Sequence, residues 1–138
     1  MSGAQTTLDL IERARDGVIE GYAATATSAR WLAASLAALR AGAAVLSART
    51  HARRPGSAPA DLWGELARTA PELAEWAEVF AAVSAERIAV ETGLVRVGLR
   101  EADDLLRAAE EFLEVVSGRL GLPVSDHRGL RLASTRTA

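Results

Sequence analysis

The chain has no lysine, no cysteine and no asparagine, and only two histidines, His51 and His127, stand among its 138 residues. Each gap removes chemistry. Without lysine there is no Schiff base and no P-loop cation; without cysteine there is no thiol nucleophile, no disulfide framework and no zinc ribbon. Two histidines are too few for a His-rich metal centre, and the sequence implies neither a metal nor a cofactor. Aromatic residues make up 4% of the chain, and the formal charge of -2 gives no general pull toward polyanions. Any nucleic-acid contact must therefore come from a local patch.

A length of 138 residues leaves room for one domain. Residues 1–20 lack the basic start and continuous apolar core of a secretory signal, since Asp9, Glu12, Arg13, Arg15 and Asp16 interrupt it. The longest weakly polar stretch, Trp31 to Leu39, contains Ser35 and falls short of the ~20 residues that span a bilayer. A cytoplasmic protein without a membrane span is the expectation.

All 16 basic residues are arginine, alanine is abundant, and the hydrophobic pattern has helical period. A first segment runs from about Thr7 to Ala24, with Leu8, Ile11, Ala14, Val18 and Tyr22 on one face and Thr6 or Thr7 as N-cap. A second follows Thr27 or Ser28 and reaches Arg49, with Leu32, Ser35, Leu36, Leu39, Gly42, Ala43 and Leu46 on one stripe. Its opposite face is nearly all alanine, broken by Arg30 and Arg40, so this helix needs cover on more than one side. That need is the physical motive for expecting a homodimer.

Proline and glycine punctuate Thr50 to Ala60, which reads as a loop, and a short helix follows over about Asp61 to Arg68. A fourth segment starts near Pro71, carries Leu73, Trp76, Ala77, Phe80, Val83, Ser84, Arg87 and Glu91, and ends near Gly93. A fifth, about Leu99 to Ser117, has the cleanest period, through Leu99, Ala102, Leu105, Leu106, Ala109, Phe112, Leu113 and Val116. The fold expected is all-α: an up-and-down bundle of four main helices plus one short helix, over residues 1–122, with 123–138 read as a disordered tail.

Three constellations carry candidate chemistry. The acids Glu101, Asp103, Asp104, Glu110 and Glu111 could work as paired carboxylates, but acids in the first turns of a helix also complement its dipole. Arg87 shares a face with Leu73 and Phe80, so its guanidinium needs a partner; Asp103 is the cross-helix candidate for a structural ion pair and Glu91 the local one. The run Arg49, His51, Arg53 and Arg54 forms a basic loop matched to phosphate, though without interleaved aromatics for base stacking. Trp31, Trp63 and Trp76 are read as core.

The runs Arg30-Trp31 through Leu36 to Ala41, Ala70-Pro71-Glu72-Leu73-Ala74-Glu75-Trp76-Ala77, and Arg100-Glu101-Ala102-Asp103-Asp104-Leu105-Leu106-Arg107 with Phe112-Leu113 resemble a small stand-alone actinobacterial family of HEPN domains (higher eukaryotes and prokaryotes nucleotide-binding), over roughly Leu8 to Leu120. The resemblance implies an all-α, commonly dimeric bundle from a superfamily of metal-independent ribonucleases, toxins paired with nucleotidyltransferases, and inactive RNA- or nucleotide-binding members. Active members carry an arginine and, after four to six residues, a histidine. Here Arg30 is followed at that interval by Ser35, and neither histidine has an arginine at the right distance before it. A hydroxyl without a base behind it cannot replace imidazole as proton acceptor. No catalytic residue carries over. The expectation is a non-catalytic, dimeric RNA- or nucleotide-associated module; the alternatives are a ribonuclease with an unorthodox set such as Arg30, Arg40 and His51, or a protein-interaction partner in a toxin–antitoxin-like system.

Overall fold

The computed structural model describes residues 3–49 and 61–122. Helices α1 (Gly3–Ala23), α2 (Thr27–Arg49), α3 (Leu62–Thr69), α4 (Ala74–Glu91) and α5 (Leu99–Arg119) follow in order, with a 3₁₀ turn, Pro71–Leu73, leading into α4. Among the described residues there is no strand. The architecture is the all-α, up-and-down bundle that the period predicts. The expected basic loop beyond Arg49 and the expected tail from 123 lie outside the described residues.

Helix ends follow local chemistry, with one correction. Helix α1 starts at Gly3, one turn before the expected Thr6 or Thr7 cap. Thr7 is inside the helix, where its Oγ1 donates back to the Gly3 carbonyl at 2.9 Å, a bond a mid-helix threonine makes to the residue four before it. Asp61 caps α3 by accepting from the Gly64 amide at 3.0 Å. Pro71 occupies the opening of the 3₁₀ turn, where no amide is needed. Helix α5 closes in a Schellman arrangement: Leu122 N donates to Ser117 O at 2.9 Å and Gly121 N to Gly118 O at 3.2 Å, with Gly121 at φ 71°, a conformation that costs glycine nothing.

Helix α2 is the axis of the bundle, packed against α1, α5, α4 and α3. On its alanine face Ala34, Ala38, Ala41 and Ala44 are fully enclosed, whereas of the leucine stripe Leu46 is buried and Leu32, Leu36 and Leu39 are only half-buried. The reason is size. Alanine and glycine let neighbouring backbones come close, and a Cβ placed on Gly17 of α1 would lie 3.1 Å from the Ala37 Cβ. At Gly42 a Cβ would lie 2.9 Å from the Trp63 ring, so this glycine is the seat of that indole. The chain's own helices thus cover the alanine face of α2, while Leu32, Leu36 and Leu39 on its other face remain half-buried. The same helix has a stretch with a mean hydropathy of 1.5, enough by length and composition to cross a membrane. That apolarity is turned inward here.

At one side of α2 four rings gather. Trp63, Trp76, Phe80 and Phe112 lie with centroids 5.1 to 6.0 Å apart, mostly tilted, the geometry aromatic quadrupoles prefer. Trp63 Nε1 donates to Ser84 Oγ at 2.8 Å, which satisfies the one polar atom the cluster encloses on that ring. Trp31 and Trp63 are buried and Trp76 is half-buried, so the tryptophans are core residues.

Candidate functional site

Two places bring charged side chains from distant sequence together. The first is the α1–α2 junction. Only residues 24–26 separate the two helices, so the carbonyls ending α1 face the first turn of α2. Arg30 turns back over them: Nε donates to Gly21 O at 3.1 Å, Nη2 to Ala24 O at 2.9 Å, and Nη1 to Asp103 Oδ1 on α5 at 2.6 Å. A guanidinium at a helix C-terminus satisfies orphan carbonyls and meets the negative end of the dipole. Beside it, Tyr22 donates to the buried Glu110 on α5 at 2.5 Å. Tyr22, Arg30, Asp103, Leu106 and Arg107 line a notch of about 370 Å³.

Asp103 therefore serves Arg30, not Arg87. Arg87 pairs instead with Glu91 one turn along its own helix, at 3.5 Å. The expected Arg87–Asp103 bridge is corrected because α5 turns Asp103 toward Arg30 at the α1–α2 junction, while Arg87 finds Glu91 on its own helix. Of the remaining acids, Asp104 pairs with Arg107 at 3.3 Å and Glu101 reaches back to the Gly98 amide at 3.4 Å, both on the exposed start of α5.

Among the described residues no imidazole stands at the notch, whose acids Asp103 and Glu110 are bonded to Arg30 and Tyr22. Ser35, five residues after Arg30, is buried and donates to Leu32 O at 2.8 Å, one turn back along its own helix. Both histidines, His51 and His127, lie outside the described residues. Among the described residues no group of three or more His, Cys, Asp or Glu could hold a metal ion. What the arrangement does is lock three helices at one point. Arg30→Ala is expected to cost about 1–2 kcal/mol, since it strips two carbonyls and one partly exposed carboxylate of their donor. Arg30→Lys should recover only part, because one ammonium cannot reproduce the planar fork. Urea denaturation of the three proteins checks this; equal midpoints would refute the locking role.

The second place is the opposite end of α2. Arg49 Nη2 lies 2.7 Å from Glu72 Oε2, and Arg119 Nη1 reaches the same oxygen at 3.5 Å. Arg49 is the one member of the predicted basic loop that is described; His51, Arg53 and Arg54 lie outside. Glu72 and Arg119 had no signal in sequence as its companions, being separated from it by long stretches of chain. Two guanidiniums on one carboxylate leave a positive charge uncompensated at the point where the basic run departs.

The hydrogen bond from Arg49, then that from the backbone amide, then the charges of Arg49 and Arg119 hold the Glu72 carboxyl below its ordinary 4.5. A depressed carboxylate stabilises the fold above its unfolded value, and that contribution is lost as the pH falls through the lower folded one. Thermal melts should therefore show Glu72→Gln losing less stability than the wild type on acidification below about pH 4.5. Parallel pH profiles would remove the triad from the account.

No curated protein and no solved structure matches the chain. A family model does, that of the SAV_6107-like HEPN domains, over residues 22–117. The matched region opens at Tyr22 and takes in Arg30, the aromatic cluster and Asp103, and it covers well over half of the sequence. The chain belongs to the SAV_6107-like HEPN family.

Proposed function

We propose that this HEPN domain is a non-catalytic, dimeric, cytoplasmic module that associates with RNA or a nucleotide through phosphate contacts at the Arg49 end of α2. The observation that carries the non-catalytic part is the engagement of Arg30. Each of its three nitrogens is bound to protein oxygen, and the residue five positions on is a buried serine. An arginine so occupied is poorly placed to stabilise charge on phosphorus, and serine offers no general base. This weighs against the unorthodox set Arg30, Arg40 and His51.

The binding part is supported by the Arg49–Glu72–Arg119 triad with its surplus positive charge, followed in sequence by His51, Arg53 and Arg54. Guanidinium forks match phosphate oxygens, and such contacts weaken as salt releases its advantage. For the dimer, the motive that α2 lacks a polar outer face narrows to its half-buried Leu32, Leu36 and Leu39. Further support comes from the α4–α5 turn, where Ile88, Leu94 and Leu99 are 72, 84 and 59% exposed, a concentration of large apolar side chains. The same patch favours a protein partner as the second reading.

Labelled single-stranded RNA tests the proposal. The expected result is binding without cleavage, falling steeply between about 50 and about 200 mM salt, and weakened when Arg53 and Arg54 are both replaced by Ala. Accumulating cleavage products, lost in His51→Ala, would move the protein to the ribonucleases. No binding at either salt would leave the protein-partner reading in its place.

A further inference from the structure

We propose that the C-terminal segment 123–138 docks in cis on the bundle, filling an apolar groove at its own root and lying along the acidic outer face of α1. The groove, about 550 Å³, lies between the start of α1 and the ends of α2 and α5, lined by Ala4, Thr7, Leu8, Ser47, Leu120 and Leu122 among others. Its two hydroxyls are already used: Thr7 Oγ1 and Ser47 Oγ bond each other at 3.0 Å and share the Gly3 carbonyl at 2.9 and 3.5 Å. The rest of the wall is apolar, with Leu8 39% exposed, so the space calls for apolar side chains.

Three observations select this occupant. The first is where the described chain ends. Leu122 is part of the groove wall, held there by the Schellman turn at Gly121, so residue 123 starts at the rim. The second is content and reach. The segment carries Val124, Leu130 and Leu132, too few to build a core alone but suited to filling an apolar groove whose walls are in place. Extended, residues 123–138 reach about 50 Å, against about 30 Å for the whole of α1.

The third is charge. Asp9, Asp16 and Glu20 lie within a narrow strip of the α1 surface, with Glu12 at its margin, directly opposite the buried Ile11, Ala14 and Val18; Arg13 is the one cation beside them. The segment offers Arg128, Arg131, Arg136 and His127 against Asp126. An apolar anchor with a basic flank matches an apolar groove with an acidic flank. Arg49 and Arg119, which share Glu72, stand at the ends of α2 and α5, so the basic flank of the segment is directed along α1 and away from them.

Because the natural chain has no cysteine, a single nitroxide can be placed at Ser134→Cys in the full-length protein. The expected result is loss of amide NMR intensity at Ala4, Leu8 and Ser47, restored when the nitroxide is reduced, and unchanged on dilution. Leu130→Asp with Leu132→Asp should return most of that intensity, and added salt part of it. Undisturbed amides at all three positions would overturn the proposal. So would broadening seen only when labelled protein is mixed with an isotope-labelled, nitroxide-free copy, which would make a second molecule the occupant.

Discussion

Replacing Phe112 with Ala is expected to cost about 3–5 kcal/mol, the range for removing a large aromatic from a packed core. Phe112 is 0% exposed and touches three other rings, with centroids 5.1 Å from Phe80, 5.4 Å from Trp76 and 6.0 Å from Trp63. Those rings come from α3 and α4 while Phe112 comes from α5, so its loss uncouples three helices at once. Against a total stability of about 5–15 kcal/mol for a domain, this removes roughly a fifth at the least. Thermal denaturation followed by circular dichroism reads the change. Phe112→Leu keeps most of the volume and should lie well between the two. An Ala variant that melts with the wild type would mean that α5 is not seated on the aromatic cluster.

The second large effect is expected from adding volume where α2 meets α1. Ala37 is 1% exposed, and a Cβ on Gly17 would already stand 3.1 Å from its Cβ and 3.6 Å from its Cα. Ala37→Leu brings three more carbons to a crossing with no room for one, at a cost of about 1–3 kcal/mol or more in strain and displaced backbone. Both residues are strong helix formers, so the loss reports packing and not helix propensity. The reverse change, Ala37→Gly, should cost only the roughly 1 kcal/mol of a helix-interior glycine. Guanidinium midpoints for the two variants separate the explanations. If leucine is tolerated better than glycine, the close approach of α1 and α2 is wrong.

These two effects mark where sequence reading succeeded and where it stopped. The periods of α1 and α5 were legible because each has one buried face and one wet one: Ile11, Ala14 and Val18 on α1, and Ala102, Leu105, Ala109, Phe112 and Val116 on α5, all stand where the pattern puts them. Helix α2 was legible as needing cover on more than one side, and it has four neighbours. Which side lies deepest was not legible: the leucines at 32, 36 and 39 are half-buried and the alanines at 34, 38, 41 and 44 enclosed, because side-chain size and not polarity decides it. The start of α1 misled because Thr7 can cap a helix or bond back within one, and its choice depends on Ser47, forty residues away.

The candidate sites divide in the same way. Arg49 was readable as a cation at a helix end, and Arg87 with Glu91 as an i, i+4 pair. Which acid meets Arg30 was not, because Asp103 lies three helices further along the chain and its direction depends on how α5 is rolled against α2. The convergence of Glu72 on Arg49 and Arg119 is likewise a product of the 3₁₀ turn at Pro71 and the length of α5.

Composition and period alone determined that this chain is an all-helical bundle without thiol or lysine chemistry, and its spacing that no histidine follows an arginine after four to six residues. Those properties are local: they depend on which residues are present and on spacings within one turn or two. The tertiary structure decided which arginine meets which carboxylate, that α2 is the buried axis, and that a groove opens where α1, α2 and α5 end together. Such features depend on the rotation of one helix against another. That rotation is set by the summed packing of many small side chains, a quantity that no short stretch of sequence contains.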